Sequence, residues 1–272
     1  MIVVPLQNFN LCAEQDYVFS CQKYKIRKLI PESDIIDVEL FSKQDQFRIR
    51  KTFWVIESSE INSHVISEEI NLILIAIKVL FRQSIYVKYR ICKENVSKCR
   101  RLAETLCYTN TESDEQLQYS DLKNIDYGFE CLKEMRNISN RTYNALYFLY
   151  RGFFSYHWRD SYIFLVCFIE SLFSINSSSG GNTKKICSRV ARLIDDQKYS
   201  EDRINYIYGL RSDLIHGRIV PDPKSERNID KVSELEELVI RIMDKVLNEK
   251  IYLHFISEEM RSEYFKHLTI TK

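Results

Sequence analysis

From residue 122 onward, apolar side chains recur at three- and four-residue spacing through long stretches, and the whole 272-residue chain holds only six glycines and four prolines to interrupt such a pattern. A chain so poor in backbone breakers, and rich in Leu, Ile, Lys and Glu, is directed toward helices rather than a turn-dense β architecture. The spacing predicts helices near 122–137, 140–156, 159–175, 183–195, 201–216 and 229–248. In the last of these, Val232, Leu235, Leu238, Val239, Ile242, Met243 and Val246 form a wide apolar stripe, most simply a core face and otherwise a subunit interface.

The first hundred residues carry two periods. Phe47, Ile49, Phe53 and Val55 alternate with Arg48, Arg50 and Thr52, and Ile85, Val87, Tyr89 and Ile91 alternate with Ser84, Lys88 and Arg90, the pattern of two half-buried strands. Between them, Ser67 followed by Glu68 and Glu69 opens an apolar run to Leu80, which predicts a helix. Residues 109–121 are polar, acidic and aperiodic and read as a linker. The expected organisation is mostly α: a smaller α+β region at residues 1–121, of unassigned role, and a helical domain at residues 122–272. Asn176-Ser-Ser-Ser-Gly-Gly-Asn-Thr183 reads as a loop, and its Gly-Gly-Asn-Thr-Lys184 lacks the spacing of a phosphate-binding loop.

With 39 basic and 38 acidic residues the net charge is +1, so there is no global pull toward nucleic acid or an anionic membrane, and any nucleic-acid contact has to be local. Eight cysteines (Cys12, Cys21, Cys92, Cys99, Cys107, Cys131, Cys167, Cys187) include no C-x-x-C pair and no His at ligand spacing, which argues against zinc and for buried thiols in a reducing compartment. No cofactor or metal is expected. Met1-Ile-Val-Val-Pro-Leu lacks the form of a signal peptide, and the apolar runs Leu72–Phe81 and Tyr162–Ile175 are too short to span a bilayer and carry Lys78 and Glu170. A soluble, cytoplasmic protein without a membrane partner is expected.

The chemistry-bearing segment is Tyr208-Gly-Leu-Arg-Ser-Asp-Leu-Ile-His-Gly217. Arg followed by His at comparable spacing also occurs at Arg151/His157 and Arg261/His267, but His157 reads as a helix-end or core-edge residue and the second pair falls near the chain end, where the sequence leaves order open. Only Arg211 lies on a strongly periodic helix, with Ile204, Ile207, Tyr208, Leu214 and Ile215, which aims it along the packed face. RNA can be cleaved without metal because its own 2′-hydroxyl attacks the neighbouring phosphorus; the protein must move protons and stabilise charge on the phosphoryl oxygens. Imidazole exchanges protons near neutral pH, which suits His216, and a guanidinium can grip two phosphoryl oxygens, which suits Arg211. Positions i and i+5 are about 140° apart around a helix, so a cleft assembled from two copies across a twofold axis would bring the two side-chain types together.

This segment resembles the signature of HEPN ribonucleases, and within them the ApeA-like group, whose motif reads roughly Tyr-x-x-Arg-Ser-x-(apolar)-(apolar)-His-Gly. Phe168-Ile-Glu170-Ser-Leu-Phe173 and Ser188-Arg189-Val-Ala-Arg192-Leu-Ile194 are similar to upstream elements of that group in order and spacing, so the resemblance covers roughly residues 130–250. It implies a HEPN-type helical bundle and a homodimer with a composite active site at Arg211 and His216, supported by Ser212, Glu170 and Gly217. It implies a metal-independent endoribonuclease leaving 2′,3′-cyclic phosphate and 5′-hydroxyl ends, acting as a toxin or anti-phage abortive-infection effector with RNA as substrate and an antitoxin or inhibitor protein as partner. The alternative is a catalytically inactive HEPN module that binds RNA, a nucleotide or a protein.

Several roles stay open on the sequence alone. Ser212 is either a substrate contact or a surface hydroxyl. Glu170, in an apolar run, needs a cationic partner among Arg192, Arg189 and Arg211 and reads as an orienting group before a catalytic one. Lys184, Lys185, Arg189, Arg192 and Arg218 either line a path for the RNA backbone or form a solvated face. Arg48, Arg50, Lys88 and Arg90, with Tyr86, make either a basic, aromatic strand surface for RNA or the ordinary solvent side of two strands.

Overall fold

The computed structural model describes residues 1–34, 42–60, 62–83, 85–92, 100–101, 115–155, 157–175, 182–216 and 226–270. The described chain is mostly helical, with an antiparallel sheet toward its N-terminus. It falls into two compact units, one reaching Phe129 and the other running from Glu130 onward.

The first unit contains β1 (Ile2–Gln7), β2 (Leu11–Cys12), β3 (Tyr17–Val18), β4 (Tyr24–Lys28), the single-turn α1 (Pro31–Asp34), α2 (Lys43–Arg50), β5 (Trp54–Ser58), α3 (Ser63–Phe81), β6 (Tyr86–Val87), β7 (Tyr89–Cys92), β8 (Arg100–Arg101), β9 (Leu117–Gln118) and the start of α4 (Asp121–Ile138). The sheet runs β3-β4-β5-β1-β7-β8, all antiparallel, and β6 also pairs with β1. Its centre, β1, is buried throughout. The apolar helix α3, buried from Leu72 to Val79, reaches the sheet through Tyr24 Oη, which donates to Glu69 Oε2 at 2.5 Å, and through Arg90 Nη1, which donates to Ser67 Oγ at 2.9 Å. On another side α3 meets α4 at Gly128, where a Cβ would lie 3.0 Å from Leu80 Cδ1. Each large apolar side chain so buried contributes about 1.5–3 kcal/mol.

Four sequence expectations change here. The alternation at 47–55 is not one strand: Lys43–Arg50 is a helix, because Ser42 Oγ accepts from the Asp45 amide at 3.2 Å and caps it, and only Trp54–Ser58 is extended. Ile49 is fully buried while Phe47 is exposed, which a common strand face would not allow. The helix expected at Ser67 begins a turn earlier, where Asn62 Oδ1 accepts from the amides of His64 and Val65. The strand expected near 85–91 forms, but Lys88 and Arg90 are buried rather than solvent-facing: Lys88 Nζ lies 3.8 Å from Asp45 Oδ1, and Arg90 is held by Ser67. The reading of a basic strand surface for RNA is therefore withdrawn at Lys88 and Arg90; the side chains of Arg48 and Arg50 lie outside the described residues. Finally, part of the expected linker is structured, since Leu117–Gln118 pairs in parallel with Leu11–Cys12.

The second unit contains the rest of α4, then α5 (Asn140–Phe153), α6 (Trp158–Phe173), α7 (Asn182–Ile194), a 3-10 turn at Gln197–Tyr199, α8 (Glu201–Ile215), α9 (Glu226–Asn248), a 3-10 segment at Ile251–Phe255 and α10 (Glu258–Ile270). Ser139 caps α5 through a reciprocal capping box with Thr142. The α5–α6 hairpin closes at Gly152, where a Cβ would fall 2.5 Å from Leu165 Cδ2, so only glycine permits this approach. All seven stripe residues of α9 are buried within the unit, which makes that stripe core rather than interface. The six expected helices are present with ends displaced by up to three residues. The order left open near the chain end is decided at α10, which is anchored by buried Phe265 and Arg261.

Of the cysteines described, Cys92, Cys131 and Cys187 are buried, Cys21 and Cys167 are half-buried and Cys12 is exposed; Cys99 and Cys107 lie outside the described residues. Among the described residues no helix is long and apolar enough to cross a membrane.

Candidate functional site

Helices α6 and α8 are pinned to each other at two levels. At the first, Tyr162 Oη donates to the Ile207 carbonyl at 2.5 Å. Near the C-terminal end of α6, Glu170 accepts from the Tyr208 hydroxyl through one oxygen and from Arg211 Nη2 at 3.2 Å through the other. Of the three cations the sequence offered to Glu170, Arg211 is the one that takes it. Tyr208, absent from the sequence reading as a site residue, is the second partner. Its sequence signals were its place at the head of the Tyr-x-x-Arg-Ser pattern and its spacing, three residues before Arg211, which puts both on one helix face.

Burial first, then the hydrogen bond and charge of Glu170, push the Tyr208 phenol far above its ordinary value, so it stays a donor. Tyr162 is raised as well, by burial foremost. Cys167, one turn before Glu170 on α6, has its thiol pushed up by burial and by the Glu170 carboxylate. That makes it a poor nucleophile.

Arg211 is fixed but not used up. Its side chain is 36% exposed, yet its Nε is buried and has no hydrogen-bond partner. His216 is the C-cap of α8; its backbone amide donates to the Ser212 carbonyl at 3.0 Å and its side chain is exposed. No hydrogen bond joins Arg211 to His216 among the described residues. Ser212 is exposed, and so is Ile215 at 52%, against the expectation that Ile215 belongs to the packed face; the core side of α8 is Ile204, Ile207, Tyr208 and Leu210. Gly217 and Arg218 lie outside the described residues.

The basic residues of α7 divide. Lys184 and Lys185 are exposed and Arg192 is half-buried. Arg189 turns inward, where its Nη1 donates to the Phe173 carbonyl at 2.5 Å and its guanidinium lies 5.0 Å from the centre of the Phe265 ring, so it packs against the end of α6 instead of joining a solvated face. Among the described residues no three His, Cys, Asp or Glu side chains group in a way that would hold a metal ion.

Comparison with family models, with curated proteins and with solved structures gives no match for this chain. The site has to be judged by its own geometry.

Proposed function

We propose that the chain is a metal-independent endoribonuclease of the HEPN type, with Arg211 and His216 as its catalytic residues. The observation that carries this reading is the state of Arg211: one face of its guanidinium is held by Glu170, while its buried Nε has no partner. A buried donor left idle costs about 1–3 kcal/mol, and an incoming phosphoryl oxygen would remove that cost. Glu170 and Tyr208 then orient Arg211. His216, exposed at the end of the same helix, is free to exchange protons with the 2′-hydroxyl and the 5′-leaving oxygen.

Since Arg211 and His216 do not meet on one helix, the reading calls for a homodimer whose twofold axis brings two α8 ends together. Exposed Ile215 beside His216 suits a helix end that a second copy covers. Ser212, exposed next to Arg211, becomes a substrate contact, and Lys184 and Lys185 attract the RNA backbone. The biological roles that go with this proposal are those of a toxin or abortive-infection effector restrained by an antitoxin or inhibitor protein.

A second reading, an inactive HEPN module that binds RNA, a nucleotide or a protein, is favoured by the same Glu170 contact, because that carboxylate offsets the charge of Arg211. Incubating the purified chain with total RNA in excess chelator separates the two. The nuclease reading expects fragmentation that His216→Ala and Arg211→Ala each abolish while circular dichroism and melting stay near wild type; intact RNA, or cleavage that survives either substitution, would overturn it.

A further inference from the structure

Away from Arg211, three arginines of the second unit converge at the C-terminal end of α6. Arg141 of α5 donates through Nη1 to the Ser171 carbonyl at 3.1 Å and to Ser174 Oγ at 3.0 Å, and through Nη2 to Glu258 Oε1 at 2.9 Å. Arg189 of α7 donates to the Phe173 carbonyl. Arg261 of α10 donates through Nη2 to the other oxygen of Glu258.

The negative end of a helix explains Arg141 and Arg189, which satisfy carbonyls that α6 leaves open. It does not explain Arg261. That side chain is 1% exposed, and both its Nε and its Nη1 are buried without a hydrogen-bond partner. Burial, followed by the nearby charge of Arg141, pushes its proton affinity down to about 10, with Arg189 adding in the same direction. Arg141 and Arg261 thus share one carboxylate, and the more deeply buried of the two is the less satisfied. Burying a cation in this state is unfavourable unless an anion completes it.

Glu258 indicates what that anion is like. Its two oxygens bridge Arg141 and Arg261, yet its side chain is 42% exposed, so solvent reaches this side of the pair. A carboxylate supplies two oxygens and one charge. A phosphate group supplies three or four oxygens and close to two charges, enough to bridge the same pair and also reach the idle donors of Arg261. We propose that Arg141, Arg189 and Arg261 form a binding site for a phosphate-class oxyanion, with Glu258 as the built-in anion that the ligand displaces. The site stands whether or not the chain cleaves RNA.

Titration calorimetry of the full chain with inorganic pyrophosphate tests it. Removing a competing carboxylate should strengthen binding, so Glu258→Gln is expected to bind about tenfold more tightly than wild type, whereas Arg261→Met should bind at least about tenfold more weakly and Arg261→Lys fall between. His216→Ala should match wild type, which separates this site from the cleavage reading. No heat from wild type or Glu258→Gln at millimolar pyrophosphate, or equal affinity in Glu258→Gln and Arg261→Met, overturns the proposal. A 2′-O-methyl oligoribonucleotide identifies the source of the phosphate. If it needs Arg261 and is displaced by pyrophosphate, the site holds the backbone of a nucleic-acid strand; if it is indifferent to both while pyrophosphate still needs Arg261, the site holds a free phosphate compound.

Discussion

Arg27 in the first unit and Arg261 in the second are both buried, at 6% and 1% exposure, and their surroundings treat them in opposite ways. Arg27 gives Nε to Glu57 at 2.6 Å, Nη1 to Asp34 at 2.6 Å and to the Lys28 carbonyl at 2.8 Å, and Nη2 to Asp34 at 2.7 Å. Those contacts raise its proton affinity, with the Asp34 hydrogen bonds foremost. Arg261 keeps one partner and its proton affinity falls. The difference separates a cation whose work is structural from one whose donors await something else. By that criterion Arg211, with its idle Nε, falls with Arg261.

The largest expected effect lies on the structural side of this contrast. Arg27→Met removes the guanidinium that holds fully buried Asp34 through two nitrogens, so it should destabilise the protein by about 3–5 kcal/mol in urea unfolding. A loss under 1 kcal/mol would break the contrast.

A second expectation applies to both units. Tyr24 in the first and Tyr162 and Tyr208 in the second are buried phenols raised above their ordinary value of 10.0, in each case by burial first. In the unfolded chain these groups ionise near pH 10 while the folded chain holds their protons, so the unfolded state binds fewer protons and stability falls as pH rises. Full stability is expected below about pH 10, and above it a loss of about 1.4 kcal/mol per pH unit for each such tyrosine. Urea midpoints measured from pH 8 to 11.5 check this; flat midpoints across that range would contradict it.

The smallest effect is expected at Arg261. Arg261→Met removes an incompletely paired charge and leaves Glu258 both exposed and bonded to Arg141, so stability should stay within about 1 kcal/mol of wild type or rise. A loss approaching that of Arg27→Met would place Arg261 among the structural cations and sharpen the line between the two regions against the present assignment.

How much of this was legible follows the kind of signal involved. Helices α4 to α9 bury apolar stripes at regular spacing, and spacing is visible in a sequence. Arg211 and His216 were legible as a motif, and the need of Glu170 for a cation followed from its apolar neighbours. Pattern alone could not choose Arg211 over Arg189 and Arg192, because that choice depends on which helix crosses α6 at Glu170. Helix α2 was hidden because Ile49 and Phe47 happen to alternate with polar residues, and the cap at Ser42 decided otherwise. Lys88 and Arg90 were misjudged for a common reason: hydrophobic patterning reads a charged side chain as solvent-facing, and its burial depends on distant partners such as Asp45 and Ser67.

The most direct test of the nuclease proposal is chemical. An RNA oligonucleotide that the chain cleaves at one position is remade with a single deoxyribose 5′ of that bond, and both are incubated in excess chelator. Cleavage of the all-ribose strand to 2′,3′-cyclic phosphate and 5′-hydroxyl ends, with none at the deoxy position, is the result expected if the 2′-hydroxyl is the nucleophile and His216 moves its proton. Cleavage at the deoxy position, or activity only when a divalent metal is supplied, would contradict it.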